Sequence, residues 1–206
     1  MWLGLTLWIV PNDENAEKLQ KIMQIKQGPS LTQTSYPVFH PHITLVSPPV
    51  SLEDQLPSIK ACVAKYRTST PPICRFKSVD IGNHYYRSVY VTIQPTSELL
   101  DMHKHFHDIL KVEPRTPVFP HLSLCYIDDA DAVNGERPAF YDAIKDAGKL
   151  RVIKKDGNVE GVSLNCGSNT QEEWIDHFEA SEIWGVLCEG PVEGWKVILK
   201  FSPKQE

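Results

Sequence analysis

The sequence predicts an α+β fold in which two pseudo-symmetric lobes of antiparallel sheet, with helices outside, flank a central cleft. Three observations support this fold. Short strand-like and helix-like segments alternate along the chain, they recur in the same order in both halves, and 41% of the 206 residues are hydrophobic. Such a chain can bury a sizeable core without disulfide bonds. We therefore expect one bilobal domain over residues 1–206, with approximate internal repeats at 13–94 and 97–188.

The first half begins with an apolar run that predicts a buried strand. Met1 to Val10 is stopped abruptly by Pro11, and the run lacks the basic start and the cleavage site of a signal peptide. Asn12 is a suitable N-cap, so a helix should follow directly. The segments expected next are a strand over 42–46, a helix with Leu52, Leu56, Ile59 and Val63 on one face, and strands over 73–81 and 88–94 joined by a turn at Gly82–Asn83.

The second half repeats this order of elements. The pattern predicts a helix over 97–112 that places Leu99, Leu100, Phe106 and Leu110 at helical spacing, then a strand over 121–126 and a helix over 137–148. The remaining strands are expected near 157–166, 182–187 and 195–201. The two halves thus share the sequence helix, short histidine-bearing strand, helix and further strands.

Charge and cysteine content narrow the classes of function and the compartment. The formal net charge of −5 argues against a long nucleic acid held through its phosphates, although one small phosphate remains compatible with it. No apolar run approaches the length of about 20 residues that a membrane span requires. Five scattered cysteines without a C-x-x-C motif predict reduced, buried thiols and a cytoplasmic protein, with one or two disulfide bonds left open. We expect a monomer that needs no cofactor.

The duplication is sharpest at two short motifs that contain histidine. Pro41-His42-Ile43-Thr44-Leu45 and Pro120-His121-Leu122-Ser123-Leu124 both read Pro-His-aliphatic-hydroxyl-Leu. Because side chains alternate along a strand, each histidine shares a face with the hydroxyl residue two positions later. If the two lobes face each other, two imidazoles and two hydroxyls line one cleft.

This set of groups suits acid–base chemistry on a phosphate ester. One neutral imidazole can take a proton from water while a protonated one gives a proton to the leaving oxygen. The hydroxyls of Thr44 and Ser123 can donate hydrogen bonds to the non-bridging phosphate oxygens. Neither a metal ion nor a thiol nucleophile is required.

The paired motifs, about 80 residues apart, resemble those of the 2H phosphoesterase superfamily, and the whole chain is similar to its fungal and plant cyclic phosphodiesterase branch. The resemblance implies a bilobal fold around a water-filled cleft and metal-independent hydrolysis. The implied reactions open 2′,3′-cyclic nucleotides to nucleoside 2′-phosphates, and ADP-ribose 1″,2″-cyclic phosphate, a by-product of tRNA splicing, to ADP-ribose 1″-phosphate. The resemblance also leaves an association with the Golgi open, although the sequence contains no Golgi-targeting signal.

The resemblance also implies roles for individual residues. His42 and His121 would be the catalytic pair, and Thr44 and Ser123 would hold the phosphate. The family pattern favours His121 as the group that activates water and His42 as the group that protonates the leaving oxygen, although the near-symmetric repeats do not order them. Tyr126 and Trp8 match positions that line the cleft in this branch. Tyr126 has the opposite strand parity from His121, so it needs a strand end or a bend to reach the cleft, and Trp8 could equally stack on a base or pack in the core.

Several alternatives remain open at this point. His103, His105 and His107 lie on one predicted helix, where we expect a solvated face rather than a metal site, because the H-E-x-x-H pattern is absent. Tyr85, Tyr86 and Arg87 follow a turn and could reach a nucleotide. Competing functions are a 2H enzyme that processes RNA ends, such as a 2′-5′ RNA ligase-like protein or an exonuclease, and a nucleotide-binding module without activity.

Overall fold

The computed structural model describes residues 4–25, 32–48, 52–66, 68, 70–114, 119–168 and 170–203, without the side chains of residues 52–55. These residues form the following elements in chain order: β1 (Gly4–Val10), α1 (Asp13–Met23), β2 (Ile43–Val46), α2 (Leu52–Lys65), β3 (Ile73–His84), β4 (Arg87–Ile93), α3 (Ser97–Leu110), β5 (His121–Cys125), α4 (Asp129–Val133), α5 (Glu136–Asp146), β6 (Leu150–Lys155), β7 (Asn158–Asn165), β8 (Trp174–Ile175), β9 (His177–Glu179), β10 (Glu182–Cys188) and β11 (Lys196–Phe201). The result is the predicted α+β fold.

The strands form two antiparallel sheets, of which the larger carries both histidine motifs. Its eight strands lie in the order β11-β10-β1-β2-β5-β4-β3-β9, and a smaller sheet has the order β6-β7-β8. The short strands β2 and β5 are neighbours at the middle of the large sheet, where Ile43 pairs with Leu122. The two motifs therefore meet where the halves of the chain join.

One face of the large sheet is covered by helices and forms the core. Helix α1 begins at the Asn12 cap, whose side chain accepts a hydrogen bond from the Asn15 amide, and it buries Ala16, Leu19, Ile22 and Met23. Helix α3 buries Leu99, Met102 and Phe106 in the same way. Ile43 and Leu122 are fully buried in this core. Because strand side chains alternate, their neighbours in the motifs turn to the opposite face of the sheet.

Most elements that the sequence predicts are present, with one correction and several additions. The turn expected at Gly82–Asn83 is wrong: β3 continues to His84, and the chain turns at Tyr85–Tyr86. A Cβ atom on Gly82 would lie 2.0 Å from the Arg87 carbonyl oxygen, so this glycine serves a close approach of two strands rather than a turn. The short helix α4 and the strands β6, β8 and β9 were not predicted.

Several further expectations concern the whole chain. The repeats at 13–94 and 97–188 stay a prediction, and the first three residues of the predicted N-terminal strand lie outside the described residues. All five cysteines are free and buried, as predicted, namely Cys62, Cys74, Cys125, Cys166 and Cys188. Among the helices of the described residues, none combines the length and the apolar character that a membrane crossing needs.

Candidate active site

A cavity of about 570 Å³ is lined by residues of the central strands, of the β3–β4 hairpin and of helix α3. This volume is within the range of small-molecule sites. All six site residues that the sequence predicts line this one cavity, namely Trp8, His42, Thr44, His121, Ser123 and Tyr126.

The register of the central strands explains why the two motifs share the cavity. Ile43 and Leu122 are antiparallel partners with side chains in the core, so the residues on either side of each one face the cavity. Antiparallel pairing about this point directs His42 towards Ser123 and Thr44 towards His121. Each imidazole consequently lies near a hydroxyl residue of the other motif as well as that of its own.

His42 is held in one orientation by three contacts. The ring Nδ1 atom lies 2.7 Å from the carbonyl oxygen of His40, to which it donates when it carries the proton. Trp8 stacks on the imidazole with ring centroids 3.6 Å apart and an interplanar angle of 8°, and Phe39 meets it edge-on at 6.0 Å. With Nδ1 fixed as the donor, Nε2 is the nitrogen available for proton transfer in the cavity.

Burial determines the charge of His42 in the free protein. His42 is only 6% exposed to solvent. Burial lowers the pKa of His42 to about 3, against the opposing effect of the His40 carbonyl, and the nearby rings of His40 and His121 lower it further. His42 is therefore neutral at pH 7, with Nε2 as a proton acceptor.

His121 begins β5 and is more open to solvent than His42. Its backbone pairs with Thr92 of β4, and its ring meets Tyr90 of the same strand at 5.5 Å with an interplanar angle of 75°. Tyr90 thus packs against one side of the His121 imidazole. The two histidines differ in environment although their motifs are nearly identical in sequence.

The two hydroxyl residues are placed differently as well. Ser123 is buried, and its hydroxyl donates a hydrogen bond of 2.7 Å to the carbonyl oxygen of Tyr86. Thr44 is half-buried on β2. A phosphate oxygen accepts hydrogen bonds, so Ser123 must turn its hydroxyl away from the Tyr86 carbonyl to donate to a bound phosphate.

Tyr126 reaches the cavity because it lies just past the end of β5. Strand β5 ends at Cys125, so the alternation that would turn Tyr126 away no longer applies. Its ring stacks on Phe39 with centroids 4.0 Å apart and an interplanar angle of 4°. Phe39 in turn contacts His42, which connects Tyr126 to the first histidine motif through one shared aromatic ring.

Trp8 reaches the cavity, but His42 covers one face of its indole ring. The residue is 4% exposed, one ring face is stacked on the imidazole, and Trp195 approaches at 5.8 Å. A base could stack only on the part of the indole that these two rings leave open. In the free protein Trp8 therefore stacks on His42 and also packs in a buried cluster with Val10, Trp184, Val186 and Cys188.

The structure corrects the interpretation of the histidines on α3. His107 is buried and lines the cavity, with Nδ1 2.8 Å from the His103 carbonyl oxygen, while His103 packs on Phe119 and His105 lies beside Tyr66. The expected solvated face is thus wrong for His107. Among the described residues, no group of three or more His, Cys, Asp or Glu side chains is arranged to hold a metal ion.

Other cavity residues were missed or left undecided by the sequence reasoning. Asn83, Tyr86 and Arg87 come from the β3–β4 hairpin, and Trp195 from the segment before β11. The aromatic and basic residues after the hairpin turn were the available signal for Tyr86 and Arg87. Trp195 had none, because its place in the cavity depends on packing between distant parts of the chain.

Comparisons with known proteins agree with this fold. A crystal structure of a phosphoesterase matches with a TM-score of 0.59 at 12% identity and covers 100% of both chains. The crystal structure of E. coli LigT complexed with 3′-AMP matches with a TM-score of 0.56 at 13% identity, also over 100% of both chains. At such low identity these structures establish the fold alone, which this chain shares with that phosphoesterase and with LigT.

Sequence comparison identifies the protein family. The family model described as "Cyclic phosphodiesterase-like protein" matches residues 1–202. The cyclic phosphodiesterase of Arabidopsis thaliana is 20% identical over 183 residues, which is 84% of this chain and 90% of that relative. The chain belongs to the cyclic phosphodiesterase-like family.

Proposed function

We propose that this protein hydrolyses 2′,3′-cyclic nucleotides to nucleoside 2′-phosphates and ADP-ribose 1″,2″-cyclic phosphate to ADP-ribose 1″-phosphate, without a metal ion. The observation that carries the proposal is the convergence of His42 and His121, each with its hydroxyl partner, on one cavity. Family membership and the Arabidopsis relative support the same chemistry. The second substrate would link the protein to by-products of tRNA splicing.

The reaction needs two proton transfers at one phosphorus. A water molecule attacks the phosphorus in line with the P–O3′ bond, and the basic histidine takes its proton. The P–O3′ bond breaks, the acidic histidine gives its proton to O3′, and the phosphate stays on O2′. Thr44 and Ser123 donate hydrogen bonds to the non-bridging oxygens as charge builds up in the transition state.

Two arguments assign the proton transfers in opposite orders. The family pattern makes His121 the base and His42 the acid. The pKa of His42, lowered by burial to about 3, instead favours His42 as the base in the free protein. An anionic substrate raises the pKa of both imidazoles, so the acid role of His42 requires the substrate to be bound. In either order the proton moves through Nε2 of His42, since Nδ1 is held by the His40 carbonyl.

The charge of the protein favours small substrates over long RNA. With a net charge of −5, the chain lacks the overall basic character of proteins that hold an extended phosphate backbone. The cavity is also sized for a nucleotide rather than for a strand. Turnover of 2′,3′-cyclic AMP relative to an oligonucleotide that ends in a cyclic phosphate separates this proposal from an RNA-end enzyme.

Phosphorus NMR tests the proposal in one experiment. Each cyclic phosphate is incubated with the protein in EDTA, and the 2′- and 3′-phosphate products are resolved. We expect the 2′-phosphate only, with rates about 10²- to 10⁴-fold lower for His42→Ala and for His121→Ala. His177→Ala is the matched control, because His177 is exposed on β9 and away from the cavity lining. Unchanged substrate with the natural protein would indicate a binding module, and loss of activity in EDTA would contradict metal independence.

A further inference from the structure

We propose that Arg87 binds a second phosphate of the substrate, on the 5′ side of the nucleoside, and so selects nucleotides that carry such a group. This inference rests on the proposed function and adds a specificity-determining residue to the same cavity. Its basis is the place of Arg87 in the cavity, the lack of an acceptor for its buried Nε among the described residues, and its position at the start of β4, five residues before the partner of His121.

Arg87 is held against the cavity wall by its neighbours. Its guanidinium lies over the ring of Tyr90, with Cζ 5.6 Å from the ring centroid. Arg87 and Tyr90 are three positions apart, so strict alternation would put them on opposite faces of β4. The pairing of β4 with β5, however, shifts register between Val89 and Tyr90. On the other side, the bare Cα of Gly82 lets β3 approach the Arg87 carbonyl closely.

The guanidinium has a buried nitrogen without a partner. Nε of Arg87 is buried and has no hydrogen-bond acceptor among the described residues, and no ion pair described for the chain includes Arg87. A buried donor without an acceptor costs free energy unless a ligand or water satisfies it. Among the described residues that line the cavity, Arg87 is the only lysine or arginine and Glu113 the only carboxylate. Arg87 is thus the permanent positive charge available to an anionic ligand there.

The position of Arg87 favours a second anion over the reacting phosphate. Arg87 begins β4, whereas His121 pairs with Thr92, five residues further along that strand. The Arg87 guanidinium lies over Tyr90, whose ring also meets that of His121, and in the proposed reaction Thr44 and Ser123 serve the oxygens of the reacting phosphate. A ribose carries its 2′,3′-cyclic phosphate and its 5′ substituent at opposite ends, so one nucleotide can present an anion to each place. The planar fork of a guanidinium matches the oxygens of a phosphate.

Binding of two product-type ligands tests this assignment. Adenosine 2′-phosphate and adenosine 2′,5′-diphosphate differ only by the 5′-phosphate, and calorimetry gives a dissociation constant for each. We expect the additional phosphate to strengthen binding to the natural protein about 10- to 100-fold, as for a charge-assisted hydrogen-bonded contact. Arg87→Gln should abolish this advantage, while Arg87→Lys should keep part of it. Arg151→Gln is the matched control, because Arg151 also lies over an aromatic ring, that of Trp174, but outside the cavity lining.

Kinetics with the corresponding cyclic substrates separate the outcomes. Arg87→Gln should lower kcat/KM for 5′-phosphorylated 2′,3′-cyclic AMP about 10- to 100-fold and that for unphosphorylated 2′,3′-cyclic AMP much less. Equal losses for both substrates and both ligands, or no loss for either, would overturn the assignment of Arg87. If the natural protein hydrolyses neither substrate, the proposed function fails, and the two dissociation constants still decide whether Arg87 reads a second phosphate. Circular dichroism of both Arg87 variants establishes that they are folded.

Discussion

The buried, neutral state of His42 predicts that this residue makes the protein sensitive to acid. The pKa of His42 falls from 6.5 to about 3 on folding, chiefly because of burial. Between these two values the unfolded chain binds more protons than the folded one, so the free energy of unfolding decreases as pH falls from about 6.5 towards 3. The shifted pKa of this one residue should therefore make the free energy of unfolding about 2 kcal/mol lower at pH 5 than at pH 8. His42→Gln should remove that part of the pH dependence.

Urea unfolding at a series of pH values measures this effect. Tryptophan fluorescence follows the transition, and the free energy of unfolding is extrapolated to water at pH 8, 7, 6 and 5 for both proteins. The quantity of interest is the difference between pH 8 and pH 5, since His42→Gln also changes stability at pH 8 through lost packing against Trp8. The pKa of His103 is also lowered, to about 4, by burial and by His107, and this contribution is common to both proteins.

A matched substitution and a clear opposite result complete the design. His84 is exposed on the β3–β4 hairpin, so His84→Gln should retain the full acid sensitivity of the natural protein. If His42→Gln loses as much free energy of unfolding between pH 8 and pH 5 as the natural protein, His42 is not held neutral by burial. His42 would then no longer be favoured as the base in the free protein.

Three further predictions concern residues that support the site. Trp8→Leu removes the ring stacked on His42 and should lower kcat for 2′,3′-cyclic AMP about tenfold. Trp8→Phe should keep most of the natural kcat. Equal kcat values for all three proteins would contradict a positioning role of Trp8. Ser123→Ala removes a hydroxyl that lines the cavity and that we propose donates to the phosphate, so it should lower kcat/KM about 100-fold in steady-state assays; a loss below threefold would exclude that contact. Ser88 is fully buried and its hydroxyl accepts a 2.9 Å hydrogen bond from the Ile127 amide, so Ser88→Ala should cost about 1–3 kcal/mol in urea unfolding; a cost near zero would mean that the amide finds another acceptor.

The core of the site could be predicted from the sequence because it depends on local rules. Strand alternation places His42 with Thr44 and His121 with Ser123, whatever the rest of the chain does. The duplication then predicts that the two strands are related, and the pairing of Ile43 with Leu122 puts them side by side. Two short motifs and one periodicity were sufficient for the placement of four cavity residues.

The remaining features depend on packing and on departures from regular geometry. The stack of Trp8 on His42 joins β1 to the start of β2 and has no sequence signal, and Tyr126 is in the cavity only because β5 ends one residue earlier. The register shift in the β4–β5 pairing accompanies the contact of Arg87 with Tyr90, and periodicity cannot anticipate such a shift. The two motifs were sufficient to predict four side chains of the cavity, whereas irregular backbone and long-range packing determine which other side chains surround them.

The central claim is that both histidines act on one phosphorus atom. A crystal structure of the protein with adenosine 2′-phosphate tests it most directly, by the distances from Nε2 of His42 and from the His121 ring to the phosphate oxygens. We expect both imidazoles within hydrogen-bonding distance of the same phosphate group. A phosphate that contacts only one of the two rings, or that binds outside this cavity, would contradict the account.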